Sequence, residues 1–160
     1  MQFEFLRRPF EPAIRRVLHF YRRFAHGLTL GVRGMAIDGT GRIFLVKHSY
    51  VSGWHLPGGG VEPGETVLGA LARELREEGN IELAETPALF AIYLNRRTAP
   101  RDHVALYVVR SFHQSAPPRP NSEIVAHGFF ARNALPEDTT LSTRARIAEV
   151  LEGRSIAELW

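Results

Sequence analysis

The stretch Gly58-Gly-Gly-Val-Glu-Pro-Gly-Glu65, followed after seven residues by Arg73-Glu-Leu-Arg-Glu-Glu-Gly-Asn-Ile81, decides how the rest of the chain is read. Its first half is a loop, because Pro57, Gly58, Gly59, Gly60, Pro63 and Gly64 suit no regular element. Its second half is a helix. Leu68, Leu71 and Leu75 fall at i, i+3 and i+7, an apolar row of helical period. At about 3.6 residues per turn, Glu74, Glu77 and Glu78 form a second row beside it. One face is expected to hold the helix to a core while its flank carries three carboxylates.

That flank is unfavourable on charge alone. Like charges at i,i+3 and i,i+4 repel by about 0.2–0.5 kcal/mol per pair, and the last turn is the negative end of the helix dipole. A divalent cation would reverse these terms, and ligands that are all oxygen suit hard Mg²⁺ or Mn²⁺. The plainer alternative is a solvated acidic face softened by Arg73 and Arg76.

The run Gly59-x5-Glu65-x7-Arg73-Glu74-Leu75-x-Glu77-Glu78-x-Asn80-Ile81 resembles the Nudix box, G-x5-E-x7-R-E-U-x-E-E-x-G-U, where U is a bulky aliphatic residue. Every specified position matches except the last glycine, which is Asn80 here. That position follows a helix end, where Asn is the usual second choice after Gly for a left-handed residue. Trp54-x-Leu56-Pro57-Gly58-Gly59 ahead of the box is also typical of the family. The flanking strand pattern extends the likeness over residues 28–150.

The resemblance implies a Nudix-type α/β/α sandwich with a mixed β-sheet and a metal-dependent hydrolase that cleaves a diphosphate linkage. The substrate it implies is a nucleoside diphosphate linked to another group, such as a nucleotide sugar or related nucleotide. By position, Glu74, Glu77 and Glu78 match the family's metal-binding carboxylates, and Gly58 matches a residue whose carbonyl completes the coordination. Gly59, Glu65 and Arg73 match residues that brace these ligands. Arg73 is also i,i+4 to Glu77, so an ordinary helix ion pair accounts for it equally well. The general base comes from different loops across the family: Glu123 resembles one such position, Asp102 and Glu82 are weaker candidates, and Glu74 or Glu77 could serve. Arg96 and Arg97, in a cluster with Arg101, are candidates to meet a substrate phosphate. Tyr50 and Trp54 could stack a base, though a rim or core aromatic is the simpler reading. The seven His show no ligand spacing and are read as structural or solvent-facing.

Length and composition agree with one enzyme-sized domain. A chain of 160 residues that is 44% hydrophobic and 23% charged can bury a sizeable core. The absence of Cys excludes a thiolate metal site and a cysteine nucleophile. No apolar run approaches the roughly 18 residues that span a bilayer, and the first residues do not open a signal peptide, so a cytoplasmic protein is expected. The net charge of +3 is uneven: seven Arg against Glu4 and Glu11 make residues 1–33 net +5 and leave −2 for the rest.

Residues 1–27 are expected to form an added basic amphipathic helical extension, its helix over 12–26, ahead of a Nudix domain over 28–160. Packing on the domain, a homodimer contact, or a membrane-surface or nucleic-acid contact would each use its faces, the last not being favoured. Strands are expected over 28–37 and 42–48, joined as a hairpin at Asp38-Gly-Thr-Gly41. Further strands are expected at 54–56, within 82–96, at 103–112 and at 124–131, with a closing helix at 142–152.

The substrate is not written in the box. A Pro sixteen residues past it, associated with ADP-ribose hydrolases, is Arg97 here, and the Tyr one position later, associated with dinucleoside polyphosphate hydrolases, is Thr98. Nucleotide sugars, nucleoside triphosphates and RNA 5′-ends stay open. The rival classes are a catalytically silent nucleotide-binding regulator, which should have lost carboxylates or Arg73, and an RNA 5′-end pyrophosphohydrolase working through the basic extension.

Overall fold

A parallel strand pair and the glycine loop set the architecture. The computed structural model describes residues 27–119 and 122–160, so the helix expected over 12–26 lies outside the described residues. Strand β1 (Thr29–Ala36) runs parallel to β6 (Asp102–Val109), and β5 (Ala88–Leu94) pairs antiparallel with the other edge of β6. A second three-stranded sheet has the order β3 (Trp54–His55), β2 (Ile43–His48), β8 (Ile124–Phe130), all antiparallel. The short strands β4 (Glu82–Leu83) and β7 (Phe112–His113) pair separately. Helix α1 (Val67–Gly79) carries the box, and α2 (Leu141–Glu152) follows β8. Among the described residues no helix is long and apolar enough to cross a membrane.

Strand alternation sorts the core onto two faces. Val32 and Ala36 of β1, Phe44 and Val46 of β2, and Ala105 and Tyr107 of β6 pack with Ala70, Leu71 and Leu75 of α1. Met35, Ile37, Ile43, Leu45 and Leu106 point the other way, into a cluster with Tyr93 and with Ile147 of α2. A helix therefore covers each face, the α/β/α layering expected. Thr66 starts α1 by accepting the Gly69 amide on its hydroxyl at 3.0 Å. Asn80 ends it in the left-handed region, φ 49°, with its amide on the Arg76 carbonyl and that of Ile81 on the Leu75 carbonyl. The departure from the family pattern thus leaves the cap intact.

Three details depart from the sequence reading. β1 and β2 are not a hairpin ladder: past the turn they share one bridge, Ile37↔Ile43, and then enter different sheets. The reason is competition for an edge. The amides of Val32 and Gly34 donate to the carbonyls of Gly59 and Pro57, and the Val61 amide donates to Leu30, so the glycine loop occupies the edge of β1 that a hairpin partner would take. The long strand expected over 103–112 breaks at Arg110-Ser111, because β5 begins only after Pro87 and offers no partner past Val108. In α1, Leu68 is 38% exposed, whereas Glu78 is buried with Leu71 and Leu75, to which it stands at i+7 and i+3. One carboxylate of the expected flank thus sits on the stripe that faces the core.

The 38–42 turn is held by a single carboxylate. Asp38 Oδ1 accepts from the amides of Thr40 and Arg42 and from the Thr40 hydroxyl, while Oδ2 meets the Arg42 guanidinium at 2.8 Å. Burial pushes the Asp38 carboxyl up, but the donors from Arg42 and Thr40 outweigh it and hold it at about 2. A carboxyl lowered on folding stabilises above its unfolded value near 3.8, and that contribution is lost as pH falls toward 2. Asp38→Ala should cost about 1–2 kcal/mol at pH 7 and about half of that at pH 3. Urea titrations of both proteins at the two pH values check this; an equal loss at both would contradict it.

Candidate active site

The glycine loop and the second half of α1 are tied together by Arg73. Its Nε and Nη2 each lie 3.1 Å from an oxygen of Glu65, and Nη2 also donates to the Gly60 carbonyl at 3.1 Å. Nη1 reaches Glu74 Oε1 at 2.7 Å and Glu77 Oε2 at 3.4 Å. One planar fork therefore fixes the loop to the helix and orients two of the box carboxylates. The Glu65 contacts, then Glu74, raise the Arg73 pKa above its ordinary value, and Glu65 is correspondingly lowered. Arg73 does more than form the i,i+4 ion pair with Glu77.

Two glycines have steric reasons. Gly58 adopts φ 140°, and a Cβ there would strike the Val32 carbonyl. A Cβ on Gly59 would strike the Glu74 carboxylate. The backbone thus passes directly against the acidic group, and a side chain at Gly59 would have to displace the Glu74 carboxylate from its place beside Arg73.

Glu78 is the buried member, with 5% of its surface exposed. Its Oε2 accepts the Gly58 amide at 2.7 Å, and Oε1 lies 3.4 Å from His48 Nε2. Burial pushes its carboxyl up to about 7, helped by the charges of Glu74 and Glu123 and opposed by the Gly58 amide and Arg33. Burial also lowers His48, with Arg33 and His55 adding to the effect. His48 Nδ1 is buried without a hydrogen-bond partner. Across from it, exposed Glu123 accepts the Tyr50 hydroxyl at 3.0 Å. Burial and then Glu123 push the Tyr50 hydroxyl up to about 12. One ligand atom from each of His48, Glu78 and Glu123 lies within 4.8 Å of the others.

The expected residues therefore take up different positions. Glu65, Arg73, Glu74, Glu77, Gly58 and Gly59 surround one loop–helix junction, and Glu78 joins Glu123 from the chain ahead of β8. Glu77 is the outermost, with 56% of its side chain exposed. His48 was missed, because only the β2–β8 register, His48↔Ile124, brings it beside Glu123. Arg96 and Arg97 are exposed in the turn after β5. Their neighbours Asn95 and Thr98 instead line a cavity of about 630 Å³, together with Arg33, Gly59, Gly60 and Asp102. Asp102 belongs to that cavity rather than to the carboxylate cluster, and Glu82 is exposed on β4. Trp54 packs edge-on against Phe130 at 4.9 Å.

The NUDIX domain model matches residues 27–151. The chain belongs to the NUDIX family. Among solved structures, a MutT NUDIX hydrolase from Burkholderia pseudomallei is similar, 29% identical with a TM-score of 0.65 over 76% of this chain and 97% of that one. An ADP-ribose pyrophosphatase from Streptococcus suis is 27% identical, with a TM-score of 0.59 over 81% and 94%. An RNA pyrophosphohydrolase of Legionella pneumophila (strain Corby) is 33% identical over 63 residues, 39% of this chain. That match spans only 36% of the relative's own length.

Proposed function

We propose that this NUDIX chain is a divalent-metal-dependent hydrolase that cleaves the diphosphate linkage of a nucleoside diphosphate carrying a further group. The observation that carries the reading is the Glu78 carboxylate, buried against a single backbone amide and beside the charges of Glu74 and Glu123. Among the described residues no Lys or Arg forms an ion pair with it. A buried carboxylate in that setting is costly, and a cation is the group that would offset it. Glu78 and Glu123, which converge with His48, together with Glu74, Glu77 and the Gly58 carbonyl, would hold Mg²⁺ or Mn²⁺, their oxygens being the donors a hard ion takes. Bound there, the ion would neutralise diphosphate oxygens and make water a better nucleophile at neutral pH.

The chain's own residues supply the positioning. Arg73 and Glu65 hold Glu74 and the loop in one arrangement, so the site is formed before substrate arrives. Glu123, exposed yet oriented by Tyr50, is the residue proposed to accept a proton from the attacking water, a role that contributes typically about 10²–10⁴ in rate. Arg96 and Arg97, exposed in the turn after β5, are proposed to meet an outlying phosphate.

A screen with Mg²⁺ tests the reading: ADP-ribose, nucleotide sugars, dinucleoside polyphosphates, nucleoside triphosphates and triphosphorylated RNA, each followed by its products. Turnover of at least one class is expected, with none when EDTA is present. Nucleotide binding without any turnover would favour the silent regulator instead. Release of diphosphate from RNA alone would favour the RNA-end reading, which the partial likeness to the Legionella pneumophila protein supports.

A further inference from the structure

We propose that the cavity beside the glycine loop is a nucleobase pocket in which Asp102 selects guanine, making guanosine diphosphates with a further group the preferred substrates. This rests on the diphosphate-hydrolase reading above and goes beyond it by naming the base. The cavity, about 630 Å³, is within the size range of small-molecule sites. Gly59 lines it and at the same time lies directly against the Glu74 carboxylate. Arg33 lines it too, and its charge acts on Glu78. A nucleotide with its base in the cavity would thus lead its diphosphate past a guanidinium to the box carboxylates. Leu30 and Val61 supply apolar wall for the faces of a ring.

The polar end of the cavity is what discriminates. Asp102 is only 9% exposed, and its carboxylate is fixed from two sides. The Thr29 hydroxyl donates to Oδ1 at 2.7 Å, a contact set by the parallel register Thr29↔Asp102. The Asn95 amide donates to Oδ2 at 2.8 Å, and its second N–H is held by the Thr98 hydroxyl, also at 2.8 Å. A carboxylate offers about four lone-pair sites, so each oxygen keeps one after these bonds. Two acceptors side by side ask for two donors side by side. Guanine presents that pair, N1–H with N2–H. Adenine, cytosine and uracil each set an acceptor next to their donor, which would leave the buried carboxylate facing a lone pair.

Calorimetric titration of the full chain with GDP, ADP, UDP and CDP in Mg²⁺ tests the assignment. GDP should bind about 100-fold tighter than the other three, the low end of the scale for two bonds to a charged acceptor. Asp102→Asn, which puts an N–H where an acceptor stood, should bring GDP down toward the others. Equal affinity for the four in the wild type overturns the inference without needing the variant to fold. So does a variant that weakens all four alike, which would make Asp102 a brace for the β5–β6 turn only. Hydrolysis of adenosine and uridine compounds at the guanosine rate defeats this inference alone. Selective GDP binding with no hydrolysis defeats the enzyme reading and leaves the pocket standing.

Discussion

Replacing Glu78 by Gln should lower turnover on the order of 10³-fold while the melting temperature holds or rises. The two halves of this expectation have separate causes. Gln keeps the shape of the side chain and an acceptor for the Gly58 amide, now at 2.7 Å from Oε2. It removes the charge that burial opposes, the cause that pushes the Glu78 carboxyl up to about 7. Folding therefore gains or breaks even. Activity loses a carboxylate proposed to hold the cation, and stabilisation worth several kcal/mol goes with it. A readout independent of turnover is available: Mg²⁺ or Mn²⁺ at about 100 times its dissociation constant should stabilise the wild type by roughly 2.7 kcal/mol and the variant far less. Glu77→Gln should act in the same direction on activity with little effect on stability, because Glu77 is 56% exposed. Near-wild-type turnover in both variants, or an equal metal-induced shift in all three proteins, would remove the assignment.

What was legible in the sequence was what is local. The loop–helix junction is a local stretch, so helical spacing put Glu74, Glu77 and Glu78 on one row, while the family resemblance added Glu65 and Arg73; in the structure Arg73 contacts Glu65, Glu74 and Glu77. Thr66 and Asn80 bound α1 for reasons visible in their side chains. Even within α1 the apolar row that begins at Leu68 leaves Glu78 on the flank, although Leu68 is the exposed member of that row. Drawn from Leu71 through Leu75 to Glu78, at i, i+4 and i+7, the same helical arithmetic places that carboxylate on the buried stripe. Non-local pairing was not legible. The hairpin signal at Asp38-Gly-Thr-Gly41 made its turn but not its ladder, because backbone groups of the glycine loop were the better partners for β1. His48 reaches the carboxylates only through the β2–β8 register, and Asp102 meets Thr29 only through a parallel pairing of strands more than seventy residues apart.

The largest effect on stability should come from a pair no motif announced. Arg146 and Glu149, i,i+3 on α2, are 2% and 6% exposed and meet at 2.6 Å. The Tyr93 hydroxyl donates to Glu149 Oε2 at 2.7 Å, and the Ala157 amide donates to Oε1 at 3.0 Å. Arg146 Nη1 donates to the Leu159 carbonyl, and its guanidinium lies over the Tyr93 ring at 4.1 Å and the Trp160 ring at 5.6 Å. Its Nε–H is buried without an acceptor, so the pair is not fully satisfied even when intact. Backbone bonds from Leu94 to Glu158 and from Trp160 to Leu94 lay the segment 154–160 along β5 over this network. Arg146→Met leaves Glu149 buried with its charge uncompensated and should cost about 3–5 kcal/mol in denaturant unfolding. Hydrogen exchange at Ala157 and Trp160 should accelerate with it. Adding Glu149→Leu removes the orphaned charge, and the double variant should regain most of the loss. A single variant within about 1 kcal/mol of wild type would mean that apolar packing of Tyr93 and Trp160, not the ion pair, holds the segment in place. A double variant as unstable as the single would assign the loss to Arg146's own contacts with Leu159 and the two rings.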